Sequence, residues 1–230
     1  MEINHSTIHR QPSAKGVHVL RTVFPNDWER ILLEMQSGSH VLNPYHNVVH
    51  ELQVVYYTWS FMVNDPSWNP VDRKLELDTA IRAGAFHDHN HSGGKYPDSD
   101  NIKRARTYVI NRGALYETSK KIAEVIDVTE FSNGGFPHHP ISLTERAIRD
   151  ADLCAIYSWE GRQLLIGLAE EMGSPLDTKP SAEQIDKFVD GNAAFLRGAP
   201  MHTIQGRRLK DEHLDSCVEQ FRHELKNLYV

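Results

Sequence analysis

The chain contains only two cysteines among its 230 residues, and it has no long hydrophobic run. Cys154 and Cys217 lie far apart in the sequence and form neither a zinc-binding nor a redox pair, so a reducing cytoplasm is the simplest location. Residues 1–16 are polar and lack the apolar core of a signal peptide, and no later segment reaches the length of a membrane-spanning helix. We therefore expect a cytoplasmic protein without a membrane partner.

The chain also lacks an excess of positive charge, since its formal net charge is -6. A nucleic-acid polymer favours a basic face, so this charge argues against such a polymer as the main partner. With 40% hydrophobic residues, the chain can bury one full core. We expect a leader segment over residues 1–24 and a single domain over residues 25–230, in an oligomeric state that the sequence leaves open.

Alternation of apolar and polar residues, which marks a half-buried strand, is missing throughout the sequence. Apolar residues recur instead at helical spacing, densely so at Leu77, Ile81 and Phe86, which predicts a buried helix. The pair His87-Asp88 would end this helix. We predict an all-α fold, a compact bundle of several helices.

Two other predicted helices carry ionisable side chains. Asn43-Pro44 favours a helix start, because Asn can cap a helix and Pro fits its first position. A helix that begins there would place His46 and His50 one turn apart on the same face.

Ser142 or Thr144 can cap a later helix. That helix would carry Asp150 and Asp152 in its middle. Both carboxylates would then stand on an element that packs into the bundle.

A histidine-rich stretch follows the buried helix, with the sequence AFHDHNHSGG over residues 85–94. A bare charge at the end of a buried helix is costly without a partner, and a metal ion is one such partner. Imidazoles and carboxylates without a thiolate suit zinc, manganese or iron, and an adjoining oxygen-rich position suits magnesium or manganese. The available ligands are His46, His50, His87, Asp88, His91 and Asp152.

Each of these features has an ordinary explanation when it is taken alone. A single histidine on an apolar helix face is usually a core residue, and 14 histidines produce some helical pairs by chance. The combination of the helix-ending His87-Asp88 with a helical Asp152 is what indicates a metal site. One carboxylate can bridge two ions, and we assign that bridge to Asp88.

Four motifs between residues 43 and 197 resemble those of HD-domain metal-dependent phosphohydrolases, and most closely those of the catalytic domain of class I cyclic nucleotide phosphodiesterases. They are Tyr45-His46-Asn47-Val48-Val49-His50, His87-Asp88-His89-Asn90-His91-Ser92-Gly93, Ala151-Asp152-Leu153 and Asn192-Ala193-Ala194-Phe195-Leu196. The Ala-Asp-Leu context favours Asp152 over its rival Asp150. Residues 25–230 would then form a single catalytic domain of this type.

The resemblance implies a site with two divalent metal ions. It assigns the first ion, zinc, manganese or iron, to His50, His87, Asp88 and Asp152, and the second, magnesium or manganese, to Asp88. His46 would be the general acid that protonates the leaving ribose oxygen, and His91 would stand beside a hydroxide that bridges the metals.

The resemblance also implies contacts with the substrate. Tyr45 belongs to the first motif, while Asn192 and Phe195 match the family's residues that hydrogen-bond and pack against the purine. A surface asparagine and a core phenylalanine are the plain alternatives. Glu117 would hold metal-bound water in the second shell of the metal site. A solvated glutamate on the helix surface is the plain alternative.

The sequence departs from the family pattern at several positions, which are Glu51, Gln53, Asn90, Ser92 and Asn192. The expected activity is hydrolysis of a phosphodiester in a small nucleotide, foremost a 3′,5′-cyclic nucleotide to its 5′-monophosphate. A phosphomonoesterase acting on nucleoside monophosphates and a non-catalytic nucleotide-binding regulator are the alternatives. The amide side chain of Asn192 is shorter than that of the family's glutamine, so the sequence does not determine which base the substrate carries.

Overall fold

A computed structural model describes residues 11–70, 73–112, 116–173, 176 and 179–229. Within these ranges the chain forms ten α-helices and no strand, so the predicted all-α fold is confirmed. The helices are α1 Pro12–Val23, α2 Trp28–Met35, α3 Val48–Val63, α4 Lys74–Phe86, α5 Asp98–Arg112, α6 Tyr116–Ile126, α7 Leu143–Asp152, α8 Trp159–Glu171, α9 Ala182–Gly198 and α10 Ile204–Tyr229. Short 3₁₀ turns lie at Ser39–Leu42, Asp127–Thr129 and Ala155–Tyr157. None of the helices in the described ranges has both the length and the apolar character needed to cross a bilayer.

Helix α3 is the central element of the bundle. It packs against α1, α4 and α7, and it buries an apolar face that includes Val54, Val55 and Met62. Helix α1 lies within the predicted leader segment, yet Val19 and Leu20 belong to the common core. A Cβ on Gly16 would lie 2.1 Å from the carbonyl oxygen of Leu52, so only glycine lets α1 approach α3 this closely.

The start of α3 differs from the prediction. Asn47 has an extended backbone, and its side-chain oxygen accepts the N–H groups of Val49 and His50, so the helix begins at Val48. His46 therefore precedes the helix, and the prediction that His46 and His50 share one helical face is wrong. The capping bonds of Asn47 determine the start, and they leave His46 free to turn toward another helix.

Helix α7 begins as predicted and ends earlier than predicted. Ser142 caps it in a capping box with Glu145, which confirms Ser142 rather than Thr144 as the cap. The helix ends at Asp152, so the prediction that Asp152 lies in mid-helix is wrong. The chain then turns through Ala155–Tyr157, and Ser158 caps α8 by accepting the N–H of Gly161.

Candidate metal centre

Four of the predicted ligands meet in the core, on segments that are far apart in the sequence. His50 lies in the first turn of α3, His87 and Asp88 follow the end of α4, and Asp152 is the last residue of α7. Nε2 of His50 lies 3.0 Å from Oδ1 of Asp152 and 3.4 Å from Oδ2 of Asp88. Nε2 of His87 lies 3.1 Å from Oδ2 of Asp88 and 3.4 Å from Oδ1 of Asp152. The two Nε2 atoms are 3.4 Å apart.

These distances fit a bound metal ion. A tetrahedral ion with nitrogen and oxygen ligands at about 2.0–2.1 Å places neighbouring ligand atoms about 3.3–3.4 Å apart. Nδ1 of His87 donates to the carbonyl oxygen of Gly84 at 2.9 Å, which leaves Nε2 of the neutral ring without a proton. The side chains of His50 and His87 are only 1% exposed, so both imidazoles are shielded from bulk solvent.

The electrostatics of the centre also favour a cation. Burial alone would raise the pKa of Asp88, but His87, His46 and His91 hold it well below its usual value. Burial likewise raises the pKa of Asp152, and its hydrogen bonds with His50 and His87 reverse this and lower it. Both carboxylates stand at helix C-terminal ends, where the helix dipole adds negative charge. A divalent ion would neutralise this charge.

The same carboxylates also favour the protonated form of His87. Burial by itself would lower the pKa of His87, but the charge of Asp88 and the hydrogen bonds with Asp152 and Asp88 raise it well above its usual value. The imidazolium then lies among the carboxylates. A metal would displace this proton, because only the unprotonated ring can act as a ligand.

His46 lies beside this cluster and is held by Glu171, a residue that the sequence analysis did not identify. Oε1 of Glu171 accepts the backbone N–H groups of Tyr45 at 2.7 Å and His46 at 3.0 Å. Oε2 of Glu171 lies 2.5 Å from Nδ1 of His46. A carboxylate only accepts, so Nδ1 carries the proton and Nε2 of the neutral ring is free to exchange one. Burial raises the pKa of Glu171, but its bond with His46 outweighs this and lowers it.

The ring of His91 stacks on the ring of His46, with the two centroids 3.7 Å apart. Nδ2 of Asn101 lies 2.9 Å from Nε2 of His91, and Oδ1 of Asp98 lies 3.8 Å from the same atom. Burial lowers the pKa of His91, but Asp98, Asp88 and Glu171 raise it overall. His46, Asp88 and His91 form a second group whose ligand atoms lie within 4.8 Å of one another, so Asp88 belongs to both groups.

The centre opens toward solvent on one side. The side chains of His46 and Asp152 are each 21% exposed, whereas that of Asp88 is 8% exposed. His46 and Asp152 are therefore the members of the cluster that are most accessible to solvent.

The predicted substrate residues have different environments. Tyr45 is 6% exposed, and its ring centroid lies 4.7 Å from those of both His46 and His50, so it packs directly against the centre. The side-chain amide of Asn192 donates to the carbonyl oxygen of Phe188, on its own helix. Phe195 is 40% exposed. Glu117 lies in α6, but its side chain falls outside what the structure describes.

Phe195 belongs to an exposed aromatic cluster near the His91 side of the centre. Its ring lies 5.2 Å from that of Phe131 and 6.5 Å from that of Phe136. The backbone N–H of Phe131 donates to Oδ2 of Asp98, the residue that also faces His91. Asn192 and Phe195 thus stand at the rim, and within the described part of the chain neither makes a hydrogen bond or a ring contact with the metal-centre side chains.

Asp150 and Asp152 have separate roles in the structure. The carboxylate of Asp150 accepts the backbone N–H groups of His202 and Thr203 and the hydroxyl of Thr203. These bonds anchor the start of α10 and direct Asp150 away from the histidines. Asp152 therefore stands alone as the carboxylate of α7 in the centre.

Comparison with known proteins does not assign a family. No protein-family model matches the chain, and no curated protein matches it. The function must therefore be inferred from the arrangement of the side chains.

Proposed function

We propose that the chain is an HD-domain-type metal-dependent phosphohydrolase that cleaves a phosphodiester in a small nucleotide, foremost a 3′,5′-cyclic nucleotide to its 5′-monophosphate. The observation that carries this proposal is that Nε2 of His50 and Nε2 of His87 lie 3.4 Å apart in the core, each within 3.0–3.4 Å of a carboxylate oxygen of Asp88 and of Asp152. Two free, buried cysteines agree with a reducing cytoplasm as its location.

The residues present fit two divalent ions. His50, His87, Asp88 and Asp152 would hold zinc, manganese or iron, and Asp88 would also reach a magnesium or manganese ion on its His46 side. When bound, such a pair of ions supplies a nucleophilic water at neutral pH and neutralises charge on the phosphoryl oxygens. Asp88 suits the bridging position because it belongs to both groups of ligand atoms.

His46 favours diester cleavage because it can serve a poor leaving group, although monoesters also need a proton. The ribose alkoxide is a poor leaving group, so its departure requires a proton from a positioned acid. Glu171 holds Nδ1 of His46, and the opposite nitrogen, Nε2, is the one that can deliver a proton. His91 stacks on the ring and restricts its rotation. Glu171 thus orients His46 as the acid and places a carboxylate against Nδ1 of its ring.

The exposed aromatic cluster is suited to packing against a nucleotide base. Phe131 and Phe195 are 38% and 40% exposed, and both belong to the cluster at the rim. Large exposed aromatic faces stack on bases with little preference for sequence. Asn192 is bonded within its own helix, so we assign base contact to the phenylalanines before the asparagine.

A hydrolysis assay tests the proposal. The protein is supplied with manganese or magnesium and offered cyclic AMP, cyclic GMP and bis(p-nitrophenyl) phosphate, beside p-nitrophenyl phosphate and nucleoside monophosphates. We expect diester turnover that His46→Ala reduces by about 100-fold or more while metal content stays normal. Asp88→Ala should lose the metal of this centre together with the activity, and Asp100→Ala, at an exposed carboxylate, is the matched control.

Turnover of monoesters alone would refute the diester assignment and move the activity to a phosphatase. Bound metal with tight nucleotide binding and no phosphate release would indicate a regulator. Full activity of His46→Ala would exclude His46 as the acid.

A further inference from the structure

A second buried polar cluster lies next to the metal centre and is not used by the proposed reaction. It consists of His40 in the Ser39–Leu42 turn, Glu51 in α3 and His89 after α4. His40 and Glu51 are fully buried, and His89 is 1% exposed. Glu51 is one of the positions at which the sequence departs from the family that it resembles.

Two buried polar atoms of this cluster, Oε2 of Glu51 and Nδ1 of His89, have no hydrogen-bond partner among the described residues. Nε2 of His40 lies 3.2 Å from Oε1 of Glu51, and one ligand atom from each residue can be chosen so that all lie within 4.8 Å of one another. Buried polar atoms without partners are unfavourable, so a bound ion would remove the defect at both.

The charge of the cluster points to a cation. Glu51 forms no ion pair with Lys or Arg within the described part of the chain. The ring of His89 is fixed by stacking on Tyr108, with the two ring centroids 3.6 Å apart.

We propose that His40, Glu51 and His89 form a separate buried binding site for one zinc ion. Two imidazole nitrogens and the two oxygens of a bidentate carboxylate supply four ligand atoms, and this nitrogen and oxygen set suits zinc. The ion would tie the Ser39–Leu42 turn to α3 and to the segment after α4. The site is distinct from the ions of the proposed hydrolytic centre.

Zinc binding would change one hydrogen bond in a predictable way. The backbone N–H of Asn90 donates to Nδ1 of His40 at 3.1 Å, so the proton of the neutral ring is on Nε2. Coordination through Nε2 moves that proton to Nδ1, and the N–H of Asn90 must then turn away. Asn90 has a positive φ of 65° and leads directly into His91. The amide of Asn90 should therefore exchange with solvent faster when the ion is bound.

Metal analysis of the full chain tests the site. The protein is stripped with a chelator, reloaded with zinc, dialysed and analysed for bound metal per chain. The variant Asp88→Ala removes a residue shared by both groups of the main centre, and in this background we expect one zinc ion per chain to remain. Adding Glu51→Gln should remove that ion, whereas adding Glu171→Gln, a matched change at another buried glutamate, should retain it.

A second variant guards against misfolding of Glu51→Gln. His89→Phe keeps an aromatic ring against Tyr108 and removes both ring nitrogens, including the ligand atom, so it should also lose the ion in the Asp88→Ala background. Helical circular dichroism checks the fold of each protein. Equal zinc content with and without Glu51→Gln and His89→Phe, or no zinc in the Asp88→Ala protein, would overturn the proposal.

The outcomes also separate this site from the proposed function. Loss of one ion with Glu51→Gln in a chain that hydrolyses none of the phosphoesters would support the zinc site and reject the hydrolase. Hydrolysis that depends on Asp88, with metal content unaffected by Glu51→Gln, would support the hydrolase and reject the zinc site.

Discussion

Replacing Glu171 by glutamine tests the pair that orients His46. The side chain is 2% exposed, and its two oxygens make separate contacts. Glutamine can keep the Oε1 bonds to the backbone N–H groups of Tyr45 and His46. It replaces the oxygen that faces Nδ1 of His46 by an NH₂ group, which donates. The imidazole must then accept at Nδ1 and carry its proton on Nε2, and the negative charge beside it is gone.

The size of the effect follows from the bond that is lost. The contact between Oε2 and Nδ1 measures 2.5 Å and is charge-assisted when His46 is protonated. A hydrogen bond to a charged group contributes about 1.5–3 kcal/mol. If that energy supports His46 in the transition state, turnover should fall by about 10- to 150-fold, because about 1.4 kcal/mol corresponds to a factor of ten.

The assay compares wild type, Glu171→Gln and Glu170→Gln for diester turnover, bound metal and thermal unfolding. Glu170 is exposed and next in sequence, so its substitution removes the same charge without touching His46. We expect low turnover with normal metal content for Glu171→Gln and wild-type behaviour for Glu170→Gln. Turnover of Glu171→Gln within twofold of wild type, in a metal-loaded protein, would refute the role of this pair.

The stability of the same variant should depend on pH. The folded protein lowers the pKa of Glu171 below its ordinary value of 4.5, so the carboxylate stabilises the fold above that pH. This contribution is lost as the pH falls through the lowered pKa. The Tm difference between wild type and Glu171→Gln should therefore shrink in acid, and a constant difference down to low pH would contradict the assignment.

Three further predictions concern the surroundings of the centre. Gly94→Ala should lower the Tm and the activity together, because Gly94 has a φ of +79° and an added Cβ would lie 1.8 Å from the carbonyl oxygen of Glu171. An unchanged Tm would contradict this. Asp150→Asn should lower the free energy of unfolding by about 1–3 kcal/mol and keep the metal, whereas Asp152→Asn should lose metal; calorimetry and metal analysis distinguish the two. In the metal-free protein the raised pKa of His87 means that its protonation stabilises the fold below the ordinary pKa of 6.5. This stabilisation is lost as the pH rises through the raised pKa, so the Tm should fall in alkali unless metal is added.

Local interactions explain the parts of the structure that the sequence predicted. Apolar spacing identified the buried helix that ends before His87 and Asp88, since side chains three and four residues apart share a helix face. Ser142 was identified as a cap because its hydroxyl can satisfy an N–H at the helix start, as it does with Glu145. These features depend on residues within one or two turns, and the sequence displays them directly.

Competing local signals explain why the sequence did not predict the start of α3 and the end of α7 correctly. Asn43-Pro44 and Asn47 both favour a helix start, and the bonds of Asn47 to Val49 and His50 decide between them. Asp152 belongs to a continuous helical pattern, but the chain turns directly after it and α8 restarts under its own cap at Ser158. The sequence alone does not weigh one cap against another, because the packing around α3 contributes to the choice.

By itself, the sequence determined the all-α class and the identity of the histidines and carboxylates that could bind metal, because these follow from residue type and short-range spacing. Only the tertiary structure brought Glu171 to His46 across 125 positions, and only it joined His40 and Glu51 to His89. Such contacts depend on how helices pack through side chains that are remote in the chain, and no local pattern records them. The partners that orient the site were therefore decided by the fold.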